Sequence, residues 1–242
     1  MEEVKYNNQG VKMWVKEYRK HDDIDVEFED GFVFYHASMG NFKKGTIRSG
    51  YYPSVYGVGY IGYSKTKDEN GKPNKSYIAW NNMMKRCYDD NYKEERSSYK
   101  DCFVCNEWHN YSNFKEWYDK NYYEIDNEMM YLDKDILFKG NKMYSPITCM
   151  FVNNRINCLI LDNKSKNSKY PTGVSKRGSK YSASLRKGNK DRTRVEIGVY
   201  DTVEEAYESY KAAKEEYIKE VAEEYKDKIP NNLYQSLINW EI

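Results

Sequence analysis

The chain has 242 residues, which suits two or three small domains better than one large core. Its composition is 39% hydrophobic and 32% charged, and its net charge of +1 by itself points neither toward nor away from nucleic acid. No apolar run approaches the ~18 residues of a membrane span, and the acidic, polar opening MEEVKYNNQG excludes a secretory leader, so the five Cys are read as reduced thiols of a cytoplasmic protein.

In chain order, the expected elements begin with a small β module over about residues 8–50. VKMWVKEY and DIDVEF alternate apolar and polar at period two, Asp30-Gly31 is a hairpin signal, and FKKGTIRSG (42–50) is read as a final short strand. Residues 51–76, rich in Gly, Tyr, Lys and Asn, read as a linker. The glycines of GVGYIG match a dinucleotide-binding spacing only by coincidence, because no strand–helix context follows. YIAWNNMMKRCY from Tyr77 has helical spacing, as does the stretch carrying Trp108, Phe114, Trp117 and Tyr118. Ser112 is the expected N-cap of a helix over 112–121, and the two helices are expected to bury their aromatics against each other. The segment 131–157 (YLDKDILFKGNKMYSPITCMFVNNRIN) reads as strand, turn, strand and short helix. A polar basic linker (162–170) precedes three short strands at about 173–176, 180–187 and 193–200. Asp201 or Thr202 then caps a long helix whose apolar face is Ala206, Tyr210, Ala213, Tyr217 and Val221. The tail from 229 to 242 is expected to pack back on the fold. The fold class is therefore α+β.

The charge is unevenly placed. Residues 164–194 carry eleven Lys and Arg and a single acid, Asp191, a net +10, whereas 201–228 carry ten acids and five Lys, a net −5. A basic sheet backed by an acidic helix is what phosphate neutralisation asks for, since each neutralised phosphate releases counterions. Arg and Lys interleaved with Tyr and Ser can reach phosphates or base edges. The 26 Tyr suit half-wet cores as well as nucleic-acid surfaces, and also match the coding of an AT-rich genome.

The stretch TGVSKRGSKYSASLRKGNKDRTRVEIGVYDTVEEAYESYKAAKEEY resembles the APETALA2-type integrase DNA-binding domain through Gly173-Val174, the basic hairpin, Tyr181, Ala183, Ile197-Gly198, Tyr200, Thr202 and Glu204-Glu205-Ala206. The resemblance covers about 55 residues. It implies a three-stranded sheet laid in the major groove with the helix behind it, and Lys176, Arg177, Lys180, Ser182, Ser184, Arg186 and Arg194 as contacts to double-stranded DNA.

Upstream, YIAWNNMMKRCY, FVCNEW, SNFKEWYDKN, LDKDILFKGNKMYSPITC and FVNNRIN together resemble a phage and mobile-element family grouped with HNH endonucleases, over about residues 77–160. The resemblance implies a ββα module in which two strands and a helix cradle one divalent ion. Asp133 and Asn157 match its metal ligands, and Asp135 is either a second metal carboxylate or a turn cap. The general-base position holds Lys134 rather than His, and the middle Asn position holds Thr148. A Lys ordinarily titrates near 10.4, so Lys134 is either a strongly desolvated base or a cation that grips phosphate. The histidines are His21, His36 and His109, none of them in this segment. A set of Asp and Asn oxygens favours Mg²⁺. Zinc is not expected: Cys102 and Cys105 form a CxxC, but Cys149 and Cys158 do not complete it, and all four are read as thiols.

The domain reading is thus an N-terminal β module (1–50), a linker (51–76), an HNH-like ββα module with flanking helices (77–162), an APETALA2-like three-stranded sheet plus helix (170–228) and a tail (229–242). Two functions stay open: a phage-type, sequence-specific double-stranded DNA-binding protein that nicks or cleaves with Mg²⁺, or an inactive relative that regulates or blocks another DNA-acting system. The acids Asp22, Asp23, Asp25, Glu27, Glu29 and Asp30 would repel DNA, which turns the β module away from it or toward a protein partner.

Overall fold

The computed structural model describes residues 4–161, 169–188 and 193–242. In chain order the elements are β1 (Val4–Tyr6), β2 (Lys12–Lys20), β3 (Asp23–Phe28), β4 (Val33–Ala37), α1 (Met39–Lys44), α2 (Lys75–Tyr88), α3 (Asp90–Glu95), β5 (Phe103–Val104) and α4 (Tyr111–Asn121). They continue with β6 (Met130–Asp133), β7 (Met143–Tyr144), β8 (Met150–Asn153), α5 (Asn154–Ile160), β9 (Val174–Arg177), β10 (Lys180–Lys187), β11 (Thr193–Tyr200), α6 (Val203–Tyr225) and α7 (Asn231–Ile238). The fold is α+β, as expected. No helix among the described residues is long and apolar enough to cross a membrane.

Two compact units divide the chain: residues 1–122 with 140–148, and 123–139 with 149–242. The segment 77–162 is therefore shared between them. The physical reason lies in the apolar residues. Ile136, Met150, Val152, Ile156 and Leu159 are buried in the same core as Ile218, Val221 and Leu237 of the C-terminal helices.

In the first unit, β1 to β4 form an antiparallel sheet in sequential order. Period-two alternation puts Met13, Ile24, Val26 and Phe28 on one face, where they bury with Phe42. The hairpin at Asp30-Gly31 is made as the sequence predicts: Gly31 takes φ +85°, and Asp30 Oδ1 accepts from the Phe32 amide at 3.0 Å. The strand expected within 42–50 is instead helix α1. Ser38 caps its N-terminus by accepting from the Asn41 amide, and Gly45 closes it in the left-handed region at φ +68°. Capping chemistry at both ends outweighs the weak apolar alternation of FKKGTI.

The expected linker ends two residues early, because α2 already begins at Lys75; residues 51–74 form no regular element but are held down, the Tyr60 amide donating to His109 O at 2.9 Å and the Tyr111 amide to Tyr60 O at 2.8 Å. A Cβ on Gly59 would stand 2.9 Å from the Trp80 ring, so this close approach requires glycine. Helices α2 and α4 meet through their aromatics: Trp80 lies 5.5 Å from Tyr111, and its Nε1 donates to Trp108 O at 2.7 Å. The cap of α4 is Asn110, not Ser112. Ser112 Oγ instead accepts from the amides of Tyr63 and Ser64, both at 2.9 Å, which ties the 51–76 segment to α4.

In the second unit, β6 and β8 pair antiparallel and α5 follows, packing against both; β9, β10 and β11 form a separate sheet in the order β11-β10-β9. Strands β10 and β11 have the bounds read from sequence, and β9 is displaced by one residue. Thr202 caps α6 in a full capping box with Glu205. Ala206, Tyr210, Tyr217 and Val221 bury against the sheet, with Ala213 at the margin. Helix α7 packs back on α6, as expected of the tail. The linker at 162–168 and the turn at 189–192 lie outside the described residues.

Candidate nucleic-acid interface

Residues directly opposite in an antiparallel pair share a face. Ala183, wholly buried, pairs with Val174 and stands one strand position from Ser182 and Ser184, so Ala183, Leu185 and Val174 mark the core face. The opposite face carries Lys180 paired with Arg177, Ser182 paired with Ser175, Ser184 paired with Glu196, and Arg186 paired with Arg194. Six of the seven expected contact residues therefore share one face: Arg177, Lys180, Ser182, Ser184, Arg186 and Arg194. The seventh, Lys176, pairs with Tyr181 on the other parity, exposed on edge strand β9. Ser182 is on the right face but buried. The bulge between Ala183 and Ser184 inserts Ile197 and is what brings Glu196, rather than Ile197, opposite Ser184.

The face is already organised by its own hydrogen bonds. Arg194 Nε donates to Ser184 Oγ at 2.9 Å and its Nη2 to Ser175 Oγ at 3.4 Å. Arg177 pairs with Glu196 at 2.6 Å, and Lys180 with Asp201 at 2.9 Å. Arg186 is exposed. Sequence reading missed two members, Ser175 and Glu196; only the strand register could have found them. It also credited Lys187 to the basic surface. That lysine turns to α6, paired with Glu220 at 2.8 Å and 4.9 Å over the Tyr217 ring. Lys164, Lys166, Lys190 and Arg192 lie outside the described residues.

The Asp133 segment has a different character. Asp133 ends β6, and its Oδ1 accepts from the amides of Asp135 and Ile136, both at 2.8 Å. Burial pushes this carboxyl above the ordinary Asp range, against the pull of those two amides. The turn cap is thus Asp133 itself. Asp135 is engaged by Lys134, whose buried Nζ donates to both carboxylate oxygens at 2.8 and 2.7 Å. Asn157 sits half-buried in the middle of α5. The expected metal ligands thus sit in the expected strand, strand and helix order. Their oxygens, however, fit a divalent ion poorly: Asp135 is occupied by an ammonium, and one oxygen of Asp133 by backbone. Thr148, in the middle-Asn position, donates to Met143 O at 2.8 Å and bonds Ser145 Oγ at 2.9 Å, a local turn role.

Among the described residues, the Asp, Glu, His and Cys side chains that converge closely enough for a metal are Asp23, Asp25 and His36. Arg19 already fills that cluster, bound to Asp25 and to Asp23, the latter at 2.8 Å. Of the four thiols weighed for zinc, Cys102 and Cys149 are buried, and Cys105 and Cys158 half-buried. Comparison with protein-family models, with curated proteins and with solved structures finds no match for this chain.

Proposed function

We propose that this chain binds double-stranded DNA on the outer face of the β9–β11 sheet, as a phage-type relative of HNH homing endonucleases, and that its Asp133 segment serves to hold DNA or the fold rather than to cut. The observation that carries the reading is the sorting of charge within one unit. Arg177, Lys180, Arg186 and Arg194 share a sheet face with three serines and one carboxylate, while α6 on the other side holds the acids. Guanidinium and ammonium groups neutralise phosphate, and the serines add hydrogen bonds to the backbone or to base edges.

The inactive form of the reading rests on Lys134. Its ammonium is bound by both oxygens of Asp135, and residues 130–160 include no histidine to serve as base. In that form the protein acts as a regulator or blocker of another DNA-acting system.

The test is binding of a labelled duplex followed from about 50 to about 200 mM salt. Arg186→Ala is expected to weaken binding about tenfold and to lower the salt slope by about 0.9. Unchanged affinity and slope would remove the sheet as the DNA face. Incubation of supercoiled plasmid with Mg²⁺ or Mn²⁺ is expected to give no nicking above Asp133→Ala. Nicking that the substitution abolishes would restore the endonuclease reading.

A further inference from the structure

Among the described residues, two arginines are half-buried, Arg86 and Arg155. Arg155 is held by a carboxylate, Glu224. Arg86, in the last turn of α2, has none. Its Nη1 stands 3.5 Å from the Tyr144 hydroxyl, and its guanidinium lies 5.8 Å from the centre of the Tyr99 ring. Both partners are neutral. A guanidinium carries five donors and keeps its proton, so a half-buried one without an acid loses hydration that nothing charged replaces. Its remaining donors are not sealed in, since the enclosed side-chain nitrogens without a partner among the described residues belong to Trp108, Asn153 and Arg155.

Two further cations gather at the same rings. Tyr92 and Tyr99 lie 5.8 Å apart, and over Tyr92 stand Lys85 at 5.7 Å and Arg96 at 5.5 Å, both exposed. Acids are close in sequence, namely Asp89, Asp90, Glu94, Glu95 and Asp101. Asp89 caps α3 by accepting from the Tyr92 amide at 2.9 Å, and none of the five forms an ion pair with Lys85, Arg86 or Arg96. Residues 85–101 hold five Lys and Arg against these five acids and are neutral as a whole. What distinguishes the stretch is therefore the seating of its cations on tyrosine rings, with no carboxylate between them.

We infer that Arg86, Lys85 and Arg96, arranged on the Tyr92–Tyr99 pair, form a second DNA contact. In it Arg86 binds a backbone phosphate, the two exposed cations neutralise neighbouring phosphates, and the rings pack on sugar or base. Guanidinium donors match phosphate oxygens two at a time, and a guanidinium fixed by Tyr144 and Tyr99 is aimed before the ligand arrives. Cations interleaved with aromatic rings suit a nucleotide chain, in which every unit presents a charge beside an apolar or flat group. An inorganic anion would engage the cations and leave the rings unused. The inference rests on the reading that the chain binds DNA. It adds a contact in the first unit, whereas the β9–β11 sheet belongs to the second. Because the stretch is neutral as a whole, the effect expected is that of one phosphate contact for Arg86 and less for either exposed cation.

The test uses the full chain, Arg86→Met and Arg96→Gln, with Lys44→Gln, an exposed lysine of α1 in the same unit, as control. A labelled duplex and a single strand of the same sequence are titrated from about 50 to about 200 mM salt. Arg86→Met is expected to weaken binding about tenfold and to lower the salt slope by about 0.9 on duplex or about 0.7 on single strand. Arg96→Gln is expected to weaken it about threefold, and Lys44→Gln to change neither quantity. Loss confined to the single strand also supports the site and assigns the rings to unpaired bases. Methionine keeps the stem of Arg86 and removes its charge, so the urea midpoint of Arg86→Met is expected to stay at or above that of wild type. Weaker binding at an unlowered midpoint supports the site. If the midpoint falls, Arg96→Gln decides, because its side chain is exposed: weaker binding supports the site and unchanged binding overturns it. Affinity and slope unchanged in both variants on both probes overturn the inference, and if Arg186→Ala still weakens binding, the sheet reading stands. Loss in Arg86→Met but not in Arg186→Ala keeps this contact and removes the sheet. If neither probe binds wild type, both readings fall.

Discussion

The molecule holds two antiparallel sheets dense in charge, and they spend that charge differently. In the β1–β4 sheet, Arg19 is bound by Asp23, Asp25 and Glu17, His36 sits on Asp23 at 2.8 Å, and Lys16 on Glu27 at 3.1 Å. There each of these cations is held by a carboxylate, and the acids outnumber them. In the β9–β11 sheet, four cations outnumber the two carboxylates that reach them, Glu196 and Asp201, and Arg194 bonds to neutral serines instead. Charge density alone therefore does not mark a binding surface. The proposed DNA face rests on the balance inside one face, and strand register sets that balance.

The sharpest way to separate the sheets is through their glycines. Gly31 and Gly173 both have positive φ, at +85° and +81°. A Cβ on Gly31 meets open space, whereas a Cβ on Gly173 would stand 2.0 Å from the Tyr210 ring, which is itself buried. Gly31→Ala is expected to cost about 1 kcal/mol of left-handed strain. Gly173→Ala adds overpacking and is expected to cost about 3 kcal/mol or more. Urea unfolding of the two variants checks this; equal costs would mean that β9 is not seated on α6 as described.

A second contrast is in pH. Arg19, then His36, hold the Asp23 carboxyl down at about 2, and Arg19 also lowers Asp25. A carboxyl whose pKa is depressed by folding stabilises above its ordinary value near 4, and that contribution is lost as pH falls from about 4 through about 2. Arg19→Gln is therefore expected to be less stable than wild type at pH 6 and to lose less stability between pH 4 and pH 2. Thermal midpoints across that range measure it, and salt should shrink the difference because the cluster is partly open to solvent. Parallel acid profiles would show that the cluster is not electrostatically coupled to folding.

Much of this was legible in the chain. Strands β10 and β11 and the Thr202 cap follow from period-two alternation and from Thr-x-x-Glu, both local signals. Helix α1 was missed because its apolar content is only Met39 and the buried Phe42, and its evidence lay instead in Ser38 and Gly45. Residues 123–139 and 149–161 share the core of the C-terminal helices because Ile136, Val152 and Ile156 bury with residues more than sixty positions away, which no window reveals. At the site, the candidate cations could be named, but not sorted. Lys187 turning to Glu220 is a product of tertiary packing, and the burial that holds Lys134 on its neighbour Asp135 is another.

The smallest expected effect tests the balance argument most directly. Glu196 is the carboxylate on the outer face, and it occupies Arg177 at 2.6 Å with both side chains more than half exposed. An exposed pair of this kind contributes little to folding, so Glu196→Gln should leave stability within about 0.5 kcal/mol of wild type. Its effect on DNA should be larger in proportion. Removing the acid lifts a repulsion from phosphate and frees Arg177, so affinity for duplexes of random sequence is expected to rise about threefold and the salt slope to steepen. A carboxylate can also accept from the amino group of cytosine, in which case the same substitution weakens binding to one preferred sequence while strengthening the rest. Both outcomes place Glu196 on the DNA face. Affinity and slope that stay unchanged for every duplex would show that charge on this face is not read by DNA, and the contrast between the two sheets would lose its functional meaning.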